Sequence, residues 1–95
     1  MIGKYVIVRS NMAGVFGGFL KEKHGNEVIL TNCRQFYSWS GALNVLDMAV
    51  NGVTKPHKCT YTIEIDEIWI LDVCEIAPCT DKAIKILREV KAWTI

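Results

Sequence analysis

The chain has 95 residues, of which 51% are hydrophobic and 22% are charged. This length leaves room for one hydrophobic core, so we expect a single domain spanning residues 1–95. The composition is that of a folded domain and excludes an intrinsically disordered chain. Eleven basic and ten acidic residues give a net charge of +1, which excludes the broad positive field that attracts duplex DNA. Generic nucleic-acid binding is therefore not expected.

No segment has the pattern of a membrane or export sequence. No run approaches the roughly 18 apolar residues that span a bilayer, and the first residues lack the apolar stretch of a secretory signal. We therefore expect a soluble protein without membrane association that is not exported. The four cysteines, at positions 33, 59, 74 and 79, should then remain thiols.

The first forty residues predict an antiparallel meander. Strands are expected over residues 4–9, 15–23 and 27–39. His24-Gly25-Asn26 supplies the tight reversal between the second and third strands, because Gly and Asn accept positive φ. Gly17 and Gly18 fall inside the second strand, where glycine marks a bulge or the close approach of another backbone or a ligand.

A short helix is predicted next, because from Ser40 the spacing of apolar residues changes from two to nearly four. Ser40 is the expected N-cap, and Asn51-Gly52 the expected end. The apolar stripe of this helix consists of Leu43, Leu46 and Val50, flanked by Val45, Met48 and Ala49. Residues 53–58 should form a loop.

The last third of the chain predicts two strands and a helix. Residues 60–65 alternate, with Tyr61, Ile63 and Ile65 on one face, as in a half-buried strand. The apolar run 68–73 suits either a central strand or a strand at a subunit interface, and Pro78 should end it. Thr80 should cap the last helix. The apolar stripe of that helix is Ala83, Ile84, Leu87 and Val90.

These elements together predict an α+β fold, with a small, strongly bent antiparallel sheet of five to six strands, one short middle helix and one C-terminal helix. Ile86, Trp93 and Ile95 lie outside the stripe of the last helix. Apolar residues left over in so small a domain indicate a partner surface, most economically that of a second copy. We therefore expect a homo-oligomer.

The residues suited to catalysis are few. His24 and His57 lie in a predicted turn and a predicted loop, and neither stands beside a nucleophile in a known motif. The carboxylates between positions 64 and 75 are distributed over both faces of predicted strands, so no acid pair can be assigned. We expect a protein that is not an enzyme and needs no cofactor.

Metal and phosphate motifs are weak as well. His57, Cys59, Cys74 and Cys79 offer soft ligands, but their spacing is not that of a zinc knuckle, and unliganded cysteine is common. The glycines between residues 14 and 18 lack the lysine and the helix that a P-loop requires. No metal is expected.

Arg34, Tyr37 and Trp39, just before the predicted helix start at Ser40-Gly41, form the group that most suggests a ligand. A guanidinium pairs with phosphate, aromatic rings stack on bases, and free N–H groups at a helix start receive anions. Convergence of these groups on one concave space would make a nucleotide site. The remaining candidate binding residues are Arg9, Asn11 and Lys55, with Lys58 as an equivalent charge.

A second interpretation of this group stays open. Large aromatic side chains mostly serve burial, so Phe36 and Trp39 would be core residues and Arg34 an exposed residue of the sheet.

Three segments carry a resemblance to a family: residues 9–18 (RSNMAGVFGG), 37–42 (YSWSGA) and 75–83 (EIAPCTDKA). They resemble a family of short tailed-phage proteins of uncharacterised function, with the pattern R-T-x-x-A-G-V, W-Y-W-x-G-A and E-I-x-P-C-T-x-K-A. The resemblance covers nearly the whole chain, which differs in having Ser10 for threonine and Phe36 near where tryptophan is usual. It implies a phage protein made in the cytoplasm of a bacterial host.

Small oligomeric phage proteins are similar in kind to anti-defence sponges, which capture nucleotide immune signals. The leading hypothesis is therefore sequestration, without turnover, of a cyclic ADP-ribose-type or cyclic oligonucleotide signal. The alternative is an inhibitor that binds a host protein through Trp69, Ile86, Trp93 and Ile95. A third hypothesis, an enzyme that degrades such signals, is disfavoured because no general base is evident.

Overall fold

A computed structural model describes all of residues 1–95. It contains an open, bent sheet of six antiparallel strands and two helices, which confirms the predicted α+β class. The strands are β1 (Tyr5–Ser10), β2 (Gly14–His24), β3 (Glu27–Ser38), β4 (Thr60–Tyr61), β5 (Ile65–Ile70) and β6 (Val73–Pro78). The helices are α1 (Val45–Asn51) and α2 (Asp81–Glu89), with a 3-10 turn at Pro56–Lys58. No helix is both long and apolar enough to cross a bilayer.

The strand order explains the bend of the sheet. The order is β4-β3-β2-β1-β6. The same edge of β3 pairs with two strands: β5 pairs with the first half of β3, and β4 pairs with the end of β3. Only Leu71 and Asp72 connect β5 to β6, although β5 pairs with β3 and β6 pairs with β1, at opposite edges of the sheet. The Ser10 hydroxyl donates to the Leu71 carbonyl at 2.7 Å, and Asn11 N–H donates to the Asp72 carbonyl at 3.2 Å. The sheet must therefore curl until its two ends meet at this connection.

Each face of the curled sheet has its own core, because strand alternation sends neighbouring residues to opposite faces. In β1, Val6 and Val8 face the inside of the bend, where the other core residues come from strands alone. Tyr5 and Ile7 face the helices and pack in a larger cluster with residues of α1 and α2. The site described below lies on the helix side.

The glycine pair of β2 stands where the sheet packs most closely, as predicted. A Cβ at Gly17 would lie 2.3 Å from Cζ of Phe36, and one at Gly18 would lie 2.5 Å from Cβ of Cys33. The pairing of β2 with β3 also shifts register between Gly17 and Phe19. Both expected reasons for glycine, a bulge and a close approach, are present.

The middle helix begins later than predicted. Its N-cap is Asn44, whose side-chain oxygen accepts from Asp47 N–H at 2.9 Å, so the prediction of Ser40 as N-cap is wrong. Asp47 in turn accepts from Leu43 N–H at 2.8 Å, which completes a reciprocal cap. The predicted end at Gly52 is confirmed, since its N–H donates to the Met48 carbonyl.

The helix also turns a different face to the core. Val45, Met48 and Ala49 are buried, whereas the predicted stripe of Leu43, Leu46 and Val50 is exposed. Because α1 is apolar on nearly all sides, its periodicity could not choose the buried face. The consequence is an outer apolar face of α1 that this chain leaves uncovered.

The predicted strand over residues 60–65 is wrong beyond Tyr61. Thr62 is bonded to β3 three times: its N–H donates to the Gln35 carbonyl, its hydroxyl accepts from Gln35 N–H, and its carbonyl accepts from Arg34. The chain then crosses to the start of β5 and leaves Ile63 and Ile65 exposed. The apolar run 68–73 spans the end of β5 and the start of β6, so it is not a central strand. Pro78, which was expected to end that run, is instead the last residue of β6.

The C-terminal helix agrees with the sequence. Thr80 caps it by accepting from Ala83 N–H at 3.1 Å, and Ala83, Leu87 and Val90 are buried. Ile86 is half-buried, because it packs against Gly52 at the end of α1. It therefore does not belong to an exposed partner surface.

Substituting Gly17 with alanine should destabilise the fold by about 1–3 kcal/mol, the usual cost of overpacking, because the new methyl group would overlap the Phe36 ring. The free energy of unfolding in urea measures this loss. Gly25→Asn is the control, since a Cβ there meets no atom within 4 Å and asparagine tolerates positive φ. Equal stability of the two variants would contradict the close approach.

Candidate functional site

A cleft opens on the helix side of the sheet, where the end of β1 meets the segment that leads into α1. Its volume is about 300 Å³. It is lined by Arg9, Val15, Trp39, Leu43, Asn44, Val45, Leu46 and Glu75. We call it the Arg9 cleft.

Sheet register places three of these side chains in a row across neighbouring strands. Arg9 of β1 lies opposite Val15 of β2 and Glu75 of β6. Nε of Arg9 is 3.5 Å from Oε1 of Glu75, and the Arg9 side chain is about half exposed. This is a loose surface ion pair, which contributes little to stability and leaves most of the guanidinium free.

The opposite wall combines apolar surface with free donors. Trp39 packs partly against the helix-side core and is half-buried. The Asn44 oxygen caps α1, which leaves the amide NH₂ group unbonded. Leu43 and Leu46 add exposed apolar surface. The cleft therefore combines a half-exposed guanidinium, the amide group of Asn44, one carboxylate and an apolar wall.

The Ser40-Gly41 turn does not begin a helix, but it lies beside Lys55. The Gly41 carbonyl accepts from the N–H of Thr54 at 3.1 Å, and a Cβ at Gly41 would lie 2.6 Å from the backbone nitrogen of Lys55. The N–H groups of Gly41 and Ala42 have no backbone partner. This turn can still donate to a ligand, without the help of a helix dipole.

The structure places Arg34 in the core, which corrects both interpretations of this residue. Its exposed fraction is 4%. Nε donates to the Thr62 carbonyl at 2.8 Å, and Nη1 donates to the Leu87 and Arg88 carbonyls at 3.2 and 3.3 Å. The guanidinium also lies over the Tyr61 ring, 5.3 Å from its centre, and burial lowers the pKa of Arg34. Arg34 is neither a free anion-binding group nor an exposed residue of the sheet.

The other predicted residues do not join the cleft. Tyr37 is exposed and, by strand alternation, lies on the opposite side of β3 from Arg34. Asn11 lies in the turn after β1 and bonds through its backbone to Asp72. The predicted convergence of Arg34, Tyr37 and Trp39 is therefore wrong. The structure instead combines Arg9 with Trp39, and the Ser40-Gly41 turn with Lys55.

Sequence reasoning missed Asn44 and Glu75. For Asn44 a signal was present, because an Asn followed three residues later by Asp47 resembles a reciprocal cap. No local signal points to Glu75, because its contact with Arg9 depends on the pairing of the first strand with the last one.

The structure has no cluster of metal ligands, and two of its four thiols are held protonated by burial. No group of three or more His, Cys, Asp and Glu side chains could hold a metal ion, and all four cysteines are free. Burial raises the pKa of Cys33 to about 11 and that of Cys79 to about 12. These two thiols are protonated at neutral pH and are poor nucleophiles.

Comparison of the sequence with known proteins assigns the chain to a family. A family model described as a domain of unknown function (DUF6948) matches residues 3–87. The chain belongs to this family. No curated protein and no solved structure matches it. The DUF6948 match contains all six strands and every residue that lines the Arg9 cleft.

Arg34→Met should destabilise this DUF6948 domain by about 3 kcal/mol, because it leaves three carbonyls without their charged donor. Arg34→Lys should recover only part of the loss, since one ammonium cannot reproduce the geometry of a guanidinium. Urea unfolding compares both variants with Arg9→Met, which removes an exposed arginine. A loss below about 1 kcal/mol in Arg34→Met would refute the buried role.

A pH effect follows from the neighbouring ion pair. Arg88 donates from Nε and Nη2 to the two Glu64 oxygens, each at 2.9 Å, and these hydrogen bonds lower the pKa of Glu64 below its ordinary 4.5. The pair therefore stabilises the fold fully above that value, and its contribution is lost as the pH falls through the folded pKa.

Glu64→Gln should cost about 1 kcal/mol at neutral pH, and the difference from the unsubstituted protein should shrink as the pH falls below the ordinary pKa of glutamate. Urea unfolding at several pH values measures this trend. Glu27→Gln, at an exposed glutamate outside the ion pairs, should show no such trend. A Glu64→Gln difference that is constant with pH would argue against the pair.

Proposed function

We propose that this protein binds a nucleotide in the Arg9 cleft and holds it without converting it. The observation that carries the proposal is that Arg9 and Trp39, a guanidinium and an indole, border the same cleft. Guanidinium groups recognise phosphate with paired hydrogen bonds, and indoles pack against bases.

The exposed ion pair of the cleft is compatible with an incoming phosphate. A surface pair of this kind is worth at most about 1 kcal/mol, so a doubly charged phosphate can displace Glu75 from Arg9. The released carboxylate can then accept from an amino group of the base or a ribose hydroxyl. Trp39 and Leu46 would hold the base between them.

The size of the cleft limits the ligand. Ligand pockets measure about 300–1,000 Å³, and the Arg9 cleft lies at the lower end of that range. It suits one nucleotide unit for each chain. A cyclic dinucleotide would place one unit in each of two clefts of a dimer.

The composition of the cleft favours binding over hydrolysis. Among its lining residues Glu75 is the only candidate general base, and in the proposed bound state its carboxylate, released from Arg9, would accept from the ligand itself. Neither histidine borders the cleft, since His24 pairs with Glu22 in the β2–β3 hairpin and His57 lies in the 3-10 turn. A ligand held here would meet no general base free to activate water.

We place this binding in a phage-infected bacterial cell, where the protein would sequester a nucleotide immune signal in the host cytoplasm. The resemblance to short tailed-phage proteins supports that setting. A homo-oligomer would help sequestration, because a second copy on the exposed face formed by Leu43, Leu46 and Val50 would close the cleft. Burial of the ligand between copies would slow its release.

A second candidate function is inhibition of a host protein by direct binding. The uncovered face of α1 supports it, as do the exposed side chains of Trp69, Trp93 and Ile95. A host protein retained in stoichiometric amount by the immobilised chain at high salt, and released by Leu46→Lys, would favour this function over nucleotide binding.

Titration calorimetry against mononucleotides, ADP-ribose, cyclic ADP-ribose forms and cyclic oligonucleotides tests the leading proposal. We expect at least one ligand to bind. Arg9→Met should weaken it by roughly 10- to 150-fold, the equivalent of one lost charged hydrogen bond. Glu75→Gln should tighten binding, because it removes the carboxylate that competes for Arg9.

Two results would count against the proposal. If no ligand in the panel gave heat on mixing, the proposal that the protein binds a nucleotide would be refuted. If the ligand were chemically altered after long incubation, the proposal that the protein does not convert it would be refuted. Lys21→Met, which breaks an ion pair with Glu67 outside the cleft, is the control and should leave affinity unchanged.

A further inference from the structure

A second concave site lies between the 3-10 turn and the segment that follows α2. Its volume is about 380 Å³. It is lined by Pro56, His57, Cys59, Lys91, Ala92, Trp93 and Thr94. We call it the Trp93 pocket. The N–H of Trp93 donates to the Tyr61 carbonyl at 2.8 Å, and this bond fixes the outer segment to the sheet.

The charge of this pocket differs from that of the Arg9 cleft. His57 and Lys91 border it, Lys58 follows His57 as the last residue of the 3-10 turn, and Lys55 is the N-cap of that turn. None of these basic side chains forms an ion pair, whereas those of Arg9, Lys21, His24 and Arg88 all do. No Asp or Glu side chain lines the pocket. The result is a local basic surface in a chain whose overall charge is only +1.

The pocket also presents an aromatic face. Trp93 is 63% exposed, so much of its indole ring is open to a ligand. An exposed indole beside unpaired lysines is the combination with which proteins bind single-stranded nucleic acid, because bases stack on the ring and cations follow the backbone. The concave shape favours a base that enters the pocket over a flat lipid surface.

We propose that the Trp93 pocket binds single-stranded nucleic acid. One base stacks on Trp93, and the adjoining phosphates contact Lys91, Lys58 and Lys55. The site is separate from the Arg9 cleft and does not depend on the function proposed for it. Three phosphate contacts to a single strand correspond to a slope of about −2 in the logarithm of the binding constant against that of the salt concentration.

Fluorescence anisotropy of short labelled oligothymidylate and oligouridylate tests the proposal on the full chain. Binding should be salt-dependent with that slope, and Trp93→Ala should weaken it at least about fivefold, the lower end of the stacking effect. Trp69→Ala is the matched control, because Trp69 is also 63% exposed but lies on β5. The double variant Lys58→Gln with Lys91→Gln should flatten the salt slope, whereas Lys82→Gln on α2 should not.

Several outcomes would overturn the proposal. These are equal affinity of Trp93→Ala and Trp69→Ala for the oligonucleotides, displacement of the oligonucleotide by equimolar free nucleotide, and binding to anionic phosphatidylserine vesicles without binding to oligonucleotides. Arg9→Met separates the two sites, since it should leave oligonucleotide binding intact even if no nucleotide binds the Arg9 cleft.

Discussion

The buried guanidinium of Arg34 connects β3 and Thr62 to the end of α2, in addition to side-chain packing and the exposed Arg88–Glu64 pair. It projects from β3 and donates to the carbonyl of Thr62 and to those of Leu87 and Arg88 near the end of α2. The last carbonyls of a helix lack partners within the helix, and a cation there is also favoured by the helix dipole. One side chain thus satisfies the end of α2 and holds it against the sheet.

The position of the Arg9 cleft depends on that attachment. With α2 fixed, Ile86 packs against Gly52 at the end of α1, and Thr80 N–H bonds to the Ala49 carbonyl. Helix α1 is short and makes one reciprocal cap of its own, so these contacts determine where it lies. Because Leu46 and Val45 of α1 form one wall of the cleft, a core arginine controls the shape of a site that it does not touch.

Local chemistry was enough to predict much of the fold. The β2–β3 hairpin, the close approach at Gly17 and the cap at Thr80 each follow from a few neighbouring residues. The errors occurred where two local solutions competed. Both Ser40 and Asn44 can cap a helix, and only Asn44 has Asp47 to complete the cap. The alternation of residues 60–65 suits a strand, but the bonds of Thr62 to β3 end it early.

The candidate site was harder to predict because long-range pairing assigns the role of each charged residue. A guanidinium beside aromatic residues can donate its hydrogen bonds to a phosphate or to backbone carbonyls equally well. The residues that neighbour Arg34 in the sequence are compatible with either role. Its partners lie 28, 53 and 54 residues further along the chain. Arg9 carries the same group, but the opposed residue is Glu75 at the sheet surface, so its guanidinium stays accessible. Burial, rather than the neighbouring sequence, separates the structural arginine from the available one.

The two concave sites differ in what they can select. In the Arg9 cleft a carboxylate opposes the cation, so a ligand there would have to satisfy both charges, and such a site would discriminate by geometry more than by attraction. No Asp or Glu side chain lines the Trp93 pocket, so binding of an anion there would depend on charge attraction and would weaken with salt. The DUF6948 match at residues 3–87 includes the whole Arg9 cleft but stops before Lys91 and Trp93. The first site can therefore be built by the family domain alone, whereas the second requires the segment that follows it.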